Sequence, residues 1–205
     1  DGSVEICENY RYKFNDLKIK LIKNKDNIGS VSTFERAISA SKSNIIMLSD
    51  QDDFWVKGRI NSMIDILSSN KNIDLLIGDF KFVDHKFIRN YADEIKINYD
   101  DAKLKKLSIN DIVFRNGLFY GCCMAFRSEI LNKVLPFPKW IDAHDRWIAI
   151  NSIINNSAYS FKKIVTIRGA HEKNQSSSNR KFRKRLKSYC KKLLMLILVI
   201  IRKRF

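Results

Sequence analysis

Residues 45–55 read Ile-Ile-Met-Leu-Ser-Asp-Gln-Asp-Asp-Phe-Trp, an apolar run that gives way at once to three carboxylates within four positions. Four consecutive apolar residues bounded by polar ones suit a strand covered on both faces, as in a parallel sheet flanked by helices. In an open α/β sheet, ligands bind beyond the carboxyl ends of the strands, and Asp50, Asp52 and Asp53 stand at such an end. Clustered carboxylates repel one another, and a hard divalent cation such as Mg2+ or Mn2+ relieves the repulsion and can in turn neutralise a diphosphate. The same residues also suit a solvated turn or a helix N-terminus whose dipole favours acids, and spacing alone does not separate the two readings.

The segments around this stretch alternate between strand and helix signals. Lys18–Lys23 alternates polar and apolar residues, predicting a short strand. Ser32-Thr33-Phe34-Glu35 has capping-box spacing and predicts a helix continuing to about Ser43. Ile60, Met63, Ile64 and Leu67 recur at i, i+3, i+4 and i+7, one buried helical face. Asp74–Phe80 reads as a strand and Leu118–Phe126 as extended chain, while Ser128 opens a short helix that stops before Pro136. Trp147, Ile150, Ile153 and Ile154 mark a helix beginning just after His144-Asp145; Ser160–Ile167 returns to strand, and Arg168–Ser178 is a polar loop. Residues 84–115 show no consistent period. The expected fold class is α/β, an open and mostly parallel sheet with helices on both faces.

At 205 residues and 45% hydrophobic composition the chain suffices for one well-buried domain, and two prolines and seven glycines exclude a collagen-like or low-complexity chain. The formal charge of +16 is unevenly placed. Twelve of the 38 Lys and Arg lie between Lys173 and Phe205, where there is no Asp or Glu, so residues 1–172 carry 26 basic against 22 acidic side chains. A block of like charge points to an anionic surface, lipid headgroups or nucleic acid. Cys7, Cys122, Cys123 and Cys190 have neither metal-ligand spacing nor the density of a secreted disulfide framework, so a reducing cytoplasm is expected.

From Arg180 the tail mixes cations with apolar residues, and Phe182, Leu186, Tyr189 and Leu193 keep helical spacing. One face can therefore enter a bilayer interface while Lys and Arg meet anionic headgroups. The run Leu193–Ile201 is nine residues, roughly 14 Å as a helix, about half the ~30 Å hydrocarbon core, so it dips into a membrane without spanning it. Docking of this helix on its own domain or on a partner, and a cut-off transmembrane segment, are the alternatives. A nucleic-acid-binding reading of the tail is disfavoured, because few aromatics are interleaved with the charges and the apolar run suits phosphate contact poorly.

Asn27-Ile28-Gly29, a helix, and then Leu48-Ser49-Asp50-Gln51-Asp52-Asp53-Phe54-Trp55 resemble rhamnosyltransferase-like members of glycosyltransferase family 2, whose nucleotide-sugar fold is called GT-A. Three more stretches follow in the order that family requires. Gly121-Cys122-Cys123-Met124-Ala125-Phe126-Arg127 resembles its glycine-containing strand leading into an acceptor-side helix; His144-Asp145-Arg146-Trp147 resembles the segment bearing its catalytic base; Arg168-Gly169-Ala170-His171-Glu172-Lys173-Asn174 resembles its late Arg-x-x-His-x-x-Asn element. Asp1-Gly2-Ser3 looks like the end of the family's Asp-Asp-Gly-Ser motif, so the resemblance implies that the family's first strands are missing. It covers residues 1–178 as an N-terminally incomplete GT-A domain, leaving 179–205 as a basic, membrane-associating tail.

The resemblance implies inverting transfer of a sugar from a nucleotide-diphosphate donor to an acceptor hydroxyl, with a lipid-linked glycan of cell-envelope polysaccharide assembly as the expected acceptor. Asp145 would be the catalytic base, a role compatible with capping the helix it opens. Asp52 and Asp50 would hold Mn2+ or Mg2+, with Asp50 also reaching the donor and Asp53 orienting the loop. His171 would complete the metal shell or touch the diphosphate, and Arg168 would offer a two-pronged fork to phosphate oxygens. Asp1 would contact the nucleotide. Trp55, Trp140 and Trp147 are read as ordinary packing before sugar platforms. The expected location is cytoplasmic, peripheral on the inner face of the cell membrane. A catalytically inactive remnant of such an enzyme is the competing reading.

Overall fold

The computed structural model describes residues 2–84, 103–114, 119–170 and 182–204. Seven α-helices are described: α1 Ser3–Lys13, α2 Gly29–Ser39, α3 Arg59–Ser69, α4 Ile109–Phe114, α5 Leu131–Val134, α6 His144–Ile154 and α7 Phe182–Arg204. The strands are β1 Ile45–Met47, β2 Asp53–Trp55, β3 Leu75–Asp84, β4 Leu104–Lys106, β5 Met124–Arg127 and β6 Ala158–Ala170. They form one sheet in the order β1-β5-β3-β6-β2, with β4 also paired to β6.

Neighbouring residues on a strand point to opposite faces. Leu75 and Leu76 on β3, and Met124, Ala125 and Phe126 on β5, are all fully buried, so both faces of the sheet centre are covered. That is the layering expected for the α/β class. The strand directions differ from expectation. Among the described residues β3 and β6 form a parallel pair, while β1–β5, β2–β6, β3–β5 and β4–β6 are antiparallel. An unbroken apolar run reports burial on both faces, and burial is indifferent to the direction of the neighbouring strand.

Three local expectations are also corrected. Lys18–Lys23 joins no ladder, having no strand beside it among the described residues. The helix expected from Ser32 begins at Gly29, where Asn27 Oδ1 accepts the Gly29 N–H at 2.9 Å, and it ends at Ser39. Glu35, the supposed partner in the capping box, instead accepts the Phe137 N–H at 2.7 Å and ties α2 to the chain before α6. On α3 the buried face is Arg59, Met63 and Leu67, and Ile60 and Ile64 are exposed.

The tail helix α7 is laid on the body. Met195, Leu196 and Val199 are buried in the same core as Trp147 and Ile150 of α6. Arg202 stacks over the Trp147 ring at 5.3 Å, and Lys203 Nζ donates to the Ile154 carbonyl at 3.0 Å. Docking and exposure coexist, because Leu194, Ile197 and Ile201 on the opposite face stand open to solvent. No helix among the described residues is long and apolar enough to cross a membrane.

Candidate active site

The site forms where β1 ends. Leu48, buried just past β1, leads into Asp50, and the chain then reverses into β2, whose Asp53, Phe54 and Trp55 register against Arg168, Ile167 and Thr166 of β6. Cross-strand partners share a face, so this register sets Asp53 beside Arg168 and Trp55 beside Thr166. Asp53 Oδ1 and Arg168 Nε are 3.4 Å apart, and the Asp53 side chain is only 1% exposed. The guanidinium of Arg168 is boxed by the rings of Tyr120, Phe80 and Phe82, at 4.7, 5.5 and 5.6 Å. Asp53 Oδ2 and Arg168 Nη1 are buried without a hydrogen-bond partner, an acceptor and a donor left open in one place.

A 3₁₀ turn, Gly121–Cys123, closes the site from the side of β5. Its position is fixed by a buried polar relay: Arg59 Nη1 donates to Thr166 Oγ1 at 2.7 Å, and Thr166 Oγ1 donates to the Cys122 carbonyl at 2.8 Å. Arg59 is 1% exposed and lies over the Trp55 ring at 4.2 Å, so its charge is sheltered by a π-face and spent on the backbone of the turn. The relay brings the Cys122 thiol to Asp50 and Asp53, whose ligand atoms all lie within 4.8 Å of one another. Burial first, and then the charge of Asp53 with smaller contributions from Asp52 and Asp145, holds the Asp50 carboxyl above its ordinary range, while Arg168 pulls it down.

Asp145 enters from α6. Its Oδ2 accepts the Gly121 N–H at 3.3 Å and its Oδ1 the Arg146 N–H at 2.7 Å, so it sits in the first turn of a helix whose cap residue is Ala143. A Cβ on Gly121 would stand 3.1 Å from His144 Nε2, 3.4 Å from Leu48 and 3.6 Å from Asp145, so the turn lies close against α6 and the end of β1. His144 is stacked on Phe34 at 4.0 Å with Nε2 unpartnered, and burial outweighs the pull of Asp145 to hold its pKa below the ordinary value.

Of the residues the sequence singled out, Asp50, Arg168 and Asp145 are brought together. Asp52 is half-buried and stands outside the Asp50–Asp53–Cys122 cluster. His171 and Asp1 lie outside the described residues. Trp147 is core, its Nε1 donating to the Val134 carbonyl at 2.8 Å, and Trp55 carries Arg59. Sequence reasoning missed Arg59, because a charged residue just before an apolar helical repeat carries no local sign of burial. It missed Cys122 as well, because the residues that meet this thiol lie about seventy positions away and no local spacing announces them.

The residues fit a divalent cation: Asp53, one of whose oxygens is buried and unpartnered, lies beside a second carboxylate and a thiol, a donor set that favours positive charge.

Comparison with known proteins bears on the family and the fold. The family description "Glycosyl transferase family 2" matches residues 1–135. The uncharacterized glycosyltransferase MJ1057 of Methanocaldococcus jannaschii is 28% identical over 152 residues, covering 74% of this chain and 50% of the relative. The chain thus spans about half the length of that curated relative. Among solved structures, S. aureus TarS 1-349 in complex with UDP-GlcNAc superposes with a TM-score of 0.61 at 16% identity, over 98% of this chain and 60% of that one. The mannosyltransferase PcManGT from Pyrobaculum calidifontis, in complex with GDP-Man and Mn2+, gives 0.62 at 15% identity, over 98% and 52%. The fold is the GT-A type of nucleotide-sugar enzymes.

Proposed function

The chain belongs to glycosyltransferase family 2, and from that premise we propose that it moves a sugar from a nucleotide-diphosphate donor to an acceptor hydroxyl with inversion at the anomeric carbon. The observation that carries this reading is a convergence at the end of β1: two acidic side chains, an arginine with an open N–H and a helix-borne carboxylate come together there. The structural neighbours hold UDP-GlcNAc and GDP-Man with Mn2+, which supports a nucleotide-sugar donor and a divalent cation here.

Asp145 is the proposed base. Its two backbone hydrogen bonds fix the carboxylate at the mouth of the turn, and the free lone pairs accept the proton of the incoming hydroxyl as the new bond forms. A single displacement needs one carboxylate, and no second nucleophile is invoked. Arg168, oriented by Asp53 and its aromatic box, offers Nη1 to a phosphate oxygen of the leaving diphosphate. A cation held by the acidic cluster would supply the positive charge that the departing diphosphate requires. Asp50 and Asp53 would hold it, with Asp52 and His171 as the ligands the resemblance adds.

The acceptor is proposed to be a lipid-linked glycan, and the exposed stripe Leu194, Ile197 and Ile201 of α7 supports a peripheral position on the inner face of the membrane. Replacing Asp145 with Asn removes the base and keeps the size of the side chain, while leaving an acceptor oxygen for one of the two backbone N–H groups it now serves. Transfer should fall about 10²–10⁴-fold while the calorimetric affinity for donor stays within twofold of the parent. Undiminished turnover refutes the role, and a chain that binds no donor at all is a folded body without the activity.

A further inference from the structure

Cys122 belongs to neither the recognised acidic motif nor the assigned catalytic groups, yet its thiol is buried 1% exposed among them. Its Sγ lies within 4.8 Å of carboxylate oxygens of both Asp50 and Asp53. Donor atoms 2.0–2.3 Å from one tetrahedral zinc ion stand roughly 3.5 Å apart, so small shifts bring these three onto one ion. Asp53 supplies an independent sign of a missing partner: Oδ1 faces Arg168, while Oδ2 is buried with no hydrogen bond in a side chain that is 1% exposed. A buried carboxylate oxygen left so is costly unless a cation takes it. The turn bearing Cys122 is immobilised from behind by the Arg59–Thr166–carbonyl relay, so the sulfur is presented at a fixed position.

We propose that Asp50, Asp53 and the Cys122 thiolate form a mixed oxygen–sulfur cation site, which makes this centre prefer zinc-like, thiophilic divalent ions over Mg2+. It rests on the proposed transferase site for its location and departs from the motif-based ligand set by using Asp53 and sulfur. A soft thiolate selects Zn2+, Co2+ or Cd2+, whereas an all-oxygen shell suits Mg2+ or Mn2+. On binding, the Cys122 S–H proton is released to solvent and the sulfur lone pair forms the bond to the metal; no redox partner is needed.

The test is a Co2+ titration of the reduced full chain with Cys7 and Cys190, both exposed, replaced by Ser. Thiolate ligation gives a near-ultraviolet sulfur-to-cobalt charge-transfer band that saturates at one equivalent, is displaced by Zn2+ and resists a large excess of Mg2+. Cys122→Ser should abolish the band and weaken cobalt binding at least tenfold, and Asp53→Asn should weaken it similarly. Cys123→Ser, in the same turn, should retain the band and thereby separates ligation from mere packing. Cobalt bound without the band, equally in the parent and in Cys122→Ser, overturns sulfur ligation and leaves an all-oxygen cation site standing. Failure of Co2+ and Mn2+ alike to bind the intact chain, with or without nucleotide-sugar, overturns the cation in both readings.

Discussion

A single missing methyl group decides how the two longest strands meet. A Cβ on Gly78 would lie 2.6 Å from both γ-carbons of Val165, and the β3–β6 ladder shifts register across this position, between Ile77 and Asp79, and again just after it, between Asp79 and Phe80. Gly78→Ala should therefore destabilise the protein by about 1–3 kcal/mol, read from the midpoint of urea unfolding. Val165→Ala on the same chain should recover part of the loss, because the two positions share one space. Absence of that coupling would mean that the strain resides elsewhere. The glycine is visible in the sequence, but its partner eighty-seven positions later is not, and the same holds for the site. Asp50, Arg168 and Asp145 were legible because each belongs to a recognisable local motif. Arg59, His144 and Cys122 act through neighbours that only the folded sheet supplies, and Asp53 looked like an accessory until its cross-strand register with Arg168 was known.

At the scale of elements, chain-local signals located strands and helices well and located their ends poorly. Ser32-Thr33-Phe34-Glu35 has the spacing of a cap, yet Glu35 is drawn to the Phe137 N–H, and tertiary demand overrides the local pairing. A one-way version of such pairing, from Ser108 to Asp111, does secure the start of α4, in a stretch where the sequence showed no period. Asp111 Oδ2 accepts the Ser108 N–H at 2.9 Å and its hydroxyl at 2.8 Å, and Lys105 Nζ is 3.3 Å from Oδ1. Burial pushes the Asp111 carboxyl up, but the Ser108 hydrogen bonds and Lys105 together hold it below its ordinary value. A carboxyl with a depressed native pKa binds fewer protons folded than unfolded. Its stabilisation is thus present above the unfolded pKa, about 3.9, and is lost as pH falls through the range beneath it. Asp111→Asn should cost about 1 kcal/mol at neutral pH and should flatten the acid-side decline of the urea midpoint. An unchanged decline would show that other carboxyls govern it.

At the scale of the whole molecule, the basic tail packs against the body and shares its core. Met195, Leu196 and Val199 serve the core, so deleting the tail would uncover apolar surface and confound any membrane assay. The informative change is confined to the outer stripe. Ile197→Asp with Ile201→Asp should leave thermal stability nearly unchanged and strongly reduce cosedimentation with anionic vesicles, because both side chains are about half exposed in the free protein. Equal sedimentation of parent and variant would remove the membrane from the proposal and leave this face to another partner. Membrane contact and docking on the body stood as alternatives at the level of sequence, since composition does not tell a helix apolar on two faces from one apolar on a single face.

The β1 end as a cation-assisted donor site is tested most directly by isothermal titration calorimetry of the full chain against a panel of nucleotide-diphosphate sugars, with and without divalent metal. The expected result is saturable binding of at least one donor with Mn2+ or Zn2+ present, lost on chelation and lost again in the Asp50→Asn, Asp53→Asn double variant. Donor binding that is unchanged by chelator and by that double variant would contradict it.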